Sequence, residues 1–522
     1  MPLNVTKNTT LSRSEVTIIN LFTSALAWIW PVLLSFATMP FIVKGLGNDA
    51  YGIRGLVLSI TGYFALLDLG LNGAVTKYLA EYKALNDKAL ITELLGTTLT
   101  TYTLLGLVGG TLIWFLAGWF TKGLFAIPQQ FYDQSIWAFR LTGVGFFLSM
   151  ISWWGSSIPT GLQRFDVING ISIGFGTLTT LSTLVAVLLG YGLLGVVWVN
   201  LFSNVLAIIA YLISERKLLP EISLRFSFNR YMFKRTVWFG MYMVAFRIFS
   251  LLFAQLDSLL IGMWIGPIAI TFYMVPMQVA QIVHGVNGKM MQIIFPMVSE
   301  LSVMGDKKNI DRIFVRGLNL CLVIGLAVAV PLAAVTEPLL RFWMSPEIAR
   351  QSTIVMELLV LTFLFAGLTA HITSFLGGIN YPQLVTLGSV ISGFSGLIFY
   401  TLLIKLFGIN GAAFAKFLSI IITIFYYLAV CRCVGKVYLI FFARTTLRPF
   451  GIAIVVGSLS YWLLVPQAIN LWATILIAIC ICSVFCLACW FLGVFDTQEK
   501  QSLYRLSYRL LPSLIKDYWK KG

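Results

Sequence analysis

Apolar stretches of roughly 20 residues recur along this chain from near residue 16 to near residue 494, parted by short polar connections. Each is long enough to cross ~30 Å of hydrocarbon as a helix. Lipid supplies no partner for backbone N–H and C=O groups, so helices that satisfy their own backbones are the expected structure and isolated strands are excluded. Composition agrees: 59% of the 522 residues are hydrophobic and only 11% are charged, a balance that no water-soluble domain of this length carries on its surface.

The expected fold class is therefore an all-α integral membrane protein with about fourteen transmembrane helices. Their starts fall near Val16, Tyr51, Leu94, Ser135, Val167, Leu193, Val237, Thr271, Ile313, Gln351, Pro382, Ile409, Arg448 and Leu471. The first stretch lacks the small-residue cleavage site of a removed signal peptide and is expected to be retained.

Lysine and arginine set the orientation. With a cytoplasmic N-terminus, the inner loops and tail collect about four times as many of these residues as the outer loops, which keep Lys44, Arg54, Lys122, Arg341, Arg350 and Lys405. Both ends are then cytoplasmic, and the net charge of +16 is mainly a topology signal. Nucleic-acid binding is the competing explanation, but the charges are spread over many loops and the central loop is short.

The basic loop at 215–236 is the longest connection and a natural midpoint. A shift of 216 residues aligns YGLLGVVWVNLFSNVLAIIAYL at Tyr191 with FGINGAAFAKFLSIIITIFYYL at Phe407, matching Gly192, Gly195, Ser203, Tyr211 and Leu212 to Gly408, Gly411, Ser419, Tyr427 and Leu428. Six spans intervene, so the related helices point the same way, as in a parallel repeat. The expected organisation is an N-lobe at 1–214, the linker at 215–236, a C-lobe at 237–430, two further helices at 431–494 and a basic amphipathic cytoplasmic tail at 495–522. Recurrent apolar sequence and ordinary glycine packing are the simpler account of the match.

Ionisable residues inside spans are the strongest functional pointers, because their burial in hydrocarbon is expensive. Arg247, Lys289, Lys416 and Arg140 are the candidate substrate-binding cations, since guanidinium and ammonium groups in a cavity suit an anion such as a diphosphate. For Arg140 and Lys416, snorkelling to the outer interface is the other reading. Asp257, Asp68, Glu357 and His284 are the candidate ion-coupling groups. A carboxylate in a span binds a cation or proton, or neutralises a neighbouring arginine, and a histidine there gates a proton or is held by a structural hydrogen bond.

The seven cysteines include a CxxC at Cys486 and Cys489, but ICICSVFCLACW is lipid-facing in character, so neither metal nor redox work is expected of it. No GxxxxGK[ST] phosphate loop is present, and the outer connections hold no paired carboxylates or metal-ligand cluster. Neither a cofactor nor a catalytic residue is expected.

GLGNDAYGI at Gly45, followed by LLDLGLNGAVTKYLAEY at Leu66, resembles the first-hairpin pattern of polysaccharide and O-antigen flippases of the multidrug/oligosaccharidyl-lipid/polysaccharide superfamily. LDSLLIGMWIGPIAITFYMVPMQVAQ at Leu256 and FPMVSEL at Phe295 are similar to that family's seventh and eighth helices, and FGINGAAFAKF at Phe407 to its twelfth. The resemblance implies a two-lobed inner-membrane transporter with a central cationic cavity, alternating access, and a substrate of oligosaccharide joined through diphosphate to a polyprenyl lipid. By position Arg247 and Lys289 would contribute to that cavity. It also implies H+ or Na+ coupling and work beside a polysaccharide polymerase and glycosyltransferases. Two other functions stay open: an ion-coupled multidrug exporter of the same superfamily, and a membrane glycan polymerase or glycosyltransferase.

Overall fold

The computed structural model describes residues 13–434 and 438–495. Among them every regular element is a helix, with α1 (Arg13–Leu46), α2 (Asn48–Phe64), α3 (Leu71–Ala84), α4 (Lys88–Trp119), α5 (Tyr132–Gly161), α6 (Phe165–Leu188), α7 (Gly192–Leu218) and α8 (Arg230–Trp264) in the first half. There follow α9 (Pro267–Met304), α10 (Lys307–Ala334), the short α11 (Thr336–Trp343), α12 (Pro346–Gly378), α13 (Pro382–Val434), α14 (Tyr438–Leu463) and α15 (Leu471–Phe491).

Twelve stretches among the described residues are long and apolar enough to cross a membrane. One of them, Pro382–Arg432, runs through Gly408, whose φ of 57° and ψ of −133° break the helix where two expected spans meet. The seventh expected span is α8. The all-helical multi-pass architecture read from hydropathy is thus the observed one.

Local chemistry fixes the helix starts. Asp87, Asn229, Ser345 and Asn470 cap α4, α8, α12 and α15 by accepting from backbone N–H groups in the first turn. Within the spans, hydroxyls such as those of Thr98, Thr101 and Thr142 donate to the carbonyl four residues back, so they are satisfied without help from another helix.

The two segments matched at a spacing of 216 residues share more than sequence. Gly192 and Gly408 both adopt a left-handed backbone, with φ of 58° and 57°, a conformation that a side chain would strain. Tyr211 and Tyr427, another matched pair, are both buried.

The chain packs as two compact units. The first holds α1–α8, α9 as far as Val275, and Ser389–Ser419 of α13. Its core is the seam of α4, α5 and α7, where Tyr102, Phe139, Phe146 and Trp154 are buried and the Trp154 indole donates to Thr98 at 3.2 Å. The second unit holds α9 from Pro276, α10 to α12, and the remaining described parts of α13 to α15. Its core gathers Ile294, Val298, Phe314, Ile372, Phe375 and Tyr427.

Candidate functional site

In the first unit, α8 carries Asp257 near its C-terminal end and α13 carries Lys416 eight residues after the break at Gly408. Both side chains are removed from solvent, at 0% and 1% exposure. The Lys416 ammonium donates to Asp257 Oδ2 at 2.5 Å, the Tyr273 hydroxyl on α9 donates to the same oxygen at 2.7 Å, and the Ser258 backbone N–H donates to Oδ1 at 2.7 Å. A charge pair in this setting recovers its desolvation cost only through such a full set of donors.

Two more phenols complete the cluster. Asp257 lies close enough to Tyr63 of α2 and Tyr400 of α13 for its charge to act on their hydroxyls. Both hydroxyls are buried and have no hydrogen-bond partner among the described residues. Asp257 and Lys416 stand out in the sequence as charges within spans, whereas Tyr63, Tyr273 and Tyr400 do not. Tyrosine in a membrane helix is common enough that only the tertiary contact marks these three.

Beside this cluster α2, the ends of α8 and α9, and the 120–128 connection meet backbone to backbone. A side chain at Gly52 would run into the Pro267 carbonyl, and one at Gly262 would run into Leu56. The Thr271 hydroxyl donates to the Asn48 carbonyl at 2.6 Å, and the Ala126 N–H to the Gly262 carbonyl at 3.0 Å. At the other end of α8, Gly240 packs on the backbone at Leu69 and Gly70, and Arg235 binds Glu81 at 3.1 Å and the Tyr82 hydroxyl at 3.0 Å. Burial raises the Tyr82 phenol pKa, with the Arg235 charge opposing.

Of the remaining expected residues, Asp68 and Arg140 have other partners. Arg247 and Lys289 sit on α8 and α9, but their side chains fall outside the described residues. Asp68, at the turn after α2, is 1% exposed and accepts from the Tyr102 hydroxyl at 2.5 Å. The Arg140 guanidinium is held between the rings of Trp114 and Trp137, 5.7 and 5.3 Å from their centroids.

Glu357 and His284 belong to the second unit. Glu357 is exposed on the wall of a largely apolar cavity of about 480 Å³ between α10, α12 and α14. His284 packs on Phe363 with Nδ1 unpartnered among the described residues. The other histidine, His371, is fully buried with Nε2 3.0 Å from the Phe314 carbonyl, a contact that no sequence pattern marks. The same holds for Asn287, whose buried amide lies against Gly325 and Gly367. Among the described residues no group of three or more metal-ligating side chains comes together.

Residues 45–352, more than half of the chain, match the family described as "Polysaccharide biosynthesis protein". A putative O-antigen transporter of Shigella flexneri is 21% identical over 394 residues, covering 75% of this chain and 92% of that protein. Among solved structures, the lipid II flippase MurJ in an inward closed conformation superposes with a TM-score of 0.72 at 14% identity, covering 92% of this chain and all of that one. An inward-facing multidrug resistance MATE transporter of the MOP superfamily gives a TM-score of 0.64 at 13% identity, covering 78% of this chain and 96% of that one. The chain is a multi-pass membrane protein with the fold shared by these transporters, and it belongs to the polysaccharide biosynthesis protein family.

Proposed function

We propose that this chain is a flippase that carries polyprenyl-diphosphate-linked oligosaccharide, a repeat unit of O-antigen or another surface polysaccharide, across the bacterial inner membrane. The observation that carries the reading is family membership joined to a fold shared with a lipid II flippase over the whole length of the latter. Uncatalysed flipping would strip water from sugar and phosphate in hydrocarbon, so a wet cationic path is all the protein need supply, and no bond is made or broken. The protein is on this reading a transporter and not an enzyme.

The lobes at 1–214 and 237–430 are the bodies that rock, with both termini cytoplasmic, and the glycine-lined contact of α2 with α8 and α9 is the outer closure. Arg247 and Lys289 receive the diphosphate from the inner side. Lys416 can bind substrate only by leaving Asp257, which then needs a replacement cation. Uptake of H+ or Na+ by Asp257 as Lys416 turns to substrate would couple the ion to the lipid-linked sugar by charge balance. Asp68, Glu357 and His284 are secondary candidates for the ion path, and a polymerase and glycosyltransferases are the expected partners. A multidrug exporter of the same fold is the second reading, favoured by the MATE neighbour and disfavoured by the excess of cations over carboxylates in the spans.

The test uses the purified full-length chain in proteoliposomes loaded with a fluorescent polyprenyl-diphosphate oligosaccharide. Faster quenching of the inner-leaflet label by an impermeant reductant than in protein-free vesicles is the expected result. A rate equal to that of empty vesicles, with drug export intact, would overturn the reading.

A further inference from the structure

Arg140 occupies an unusual setting for a cation in a membrane helix. Its guanidinium lies between two indoles that meet edge to face, with the Trp114 and Trp137 rings 6.3 Å apart at 88°. Its Nε is buried and has no acceptor among the described residues, and no carboxylate there pairs with it. A desolvated guanidinium donor without an acceptor is costly, so the site is built for an anion.

Trp114, one of these two indoles, also lines a groove of about 270 Å³ between α4 and α5. Gly106, Gly110 and Gly143 form its floor, and Leu107, Val144 and Phe147 are among its walls. The glycines let the helices touch, since a side chain at Gly143 would meet the Gly110 carbonyl at 2.5 Å. The groove, which Thr111 also lines, opens on a largely apolar face of α4, where Leu104, Val108 and Phe115 are 54%, 53% and 78% exposed. Such a face looks into lipid.

We infer that Arg140 and this groove form a binding site for an anionic phospholipid of the surrounding bilayer, the phosphate on the guanidinium and one acyl chain along the glycines. Trp114 lies in the last two turns of α4 and Trp137 and Arg140 in the first three of α5, so the cation and its tryptophans share one end of both helices, as suits contact with a leaflet's phosphates. Charge decides the occupant. A second copy of the chain seated here in a two-fold contact would bring two Arg140 side chains together without an acid to separate them, whereas an anionic lipid supplies the missing acceptor. The site is independent of which substrate the transporter moves.

The test is native mass spectrometry of the purified full-length chain with phosphatidylglycerol or phosphatidylcholine added. Wild type should hold one phosphatidylglycerol about tenfold more tightly than phosphatidylcholine. Arg140→Gln should erase that preference, Arg140→Lys should keep part of it, and Val144→Trp, which fills the groove from its exposed wall, should weaken both lipids. Thermal unfolding of each variant in lipid-free detergent shows that the loss is one of binding and not of fold. An unaltered preference in Arg140→Gln, or none in wild type, would overturn the site. So would a dimer that Val144→Trp abolishes irrespective of lipid, which would assign the groove to self-association.

Discussion

The Lys416 ammonium lies 2.5 Å from Asp257 Oδ2 across 159 residues of sequence, with both side chains shut off from solvent. Truncating one partner of such a pair leaves the other as an uncompensated buried charge, while removing both leaves none. Lys416→Ala is therefore expected to destabilise by about 3–5 kcal/mol, and the double change Asp257→Asn with Lys416→Met to recover most of that loss. Thermal unfolding in detergent checks this. Additive losses in the double variant would refute the coupling.

The Tyr102 hydroxyl donates to a carboxylate that is itself 1% exposed. Tyr102→Phe removes a hydrogen bond to a charged group, a loss of about 1.5–3 kcal/mol. The variant should melt at a lower temperature than wild type, and an unchanged melting temperature would mean that other donors satisfy Asp68 without Tyr102.

Gly52 has no room for a side chain against the Pro267 carbonyl. Gly52→Leu should hold the outer closure open without unfolding the helices. An added cysteine at Thr271 should then react with an impermeant maleimide several-fold faster in the Gly52→Leu background than in wild type, and transport should fall. Equal labelling in the two backgrounds would remove these glycines from the gate.

Arg247→Ala and Lys289→Ala should each reduce lipid-linked sugar transport about tenfold or more, and Arg247→Lys by less, because the charge survives while the planar fork is lost. Matched membrane levels of each chain make the comparison. Full activity in all three variants would remove the cationic site.

Much of the fold is legible in the sequence because lipid makes hydropathy decisive. The stretches at Ser135, Val167 and Leu471 begin helices within a few residues of where apolarity predicts, and the glycine that parts the eleventh and twelfth spans carries the break in the backbone. The site is legible only in part. Asp257 and Lys416 announce themselves as charges in hydrocarbon, yet no periodicity on α8 or α13 says that each is the other's partner. Tyr273 cannot be told from its many apolar neighbours until α9 packs on α8. Arg140 illustrates the same limit, since a cation two turns inside a helix end looks alike from sequence whether it faces a cavity or sits between two tryptophans.

The most direct test of the flippase account is the leaflet in which undecaprenyl-linked glycan accumulates when the gene is deleted from its host, with wild-type and Arg247→Ala chains supplied for rescue. The account predicts build-up in the inner leaflet that wild type clears and Arg247→Ala does not. Normal surface glycan in the deletion strain, with altered drug sensitivity alone, would contradict it.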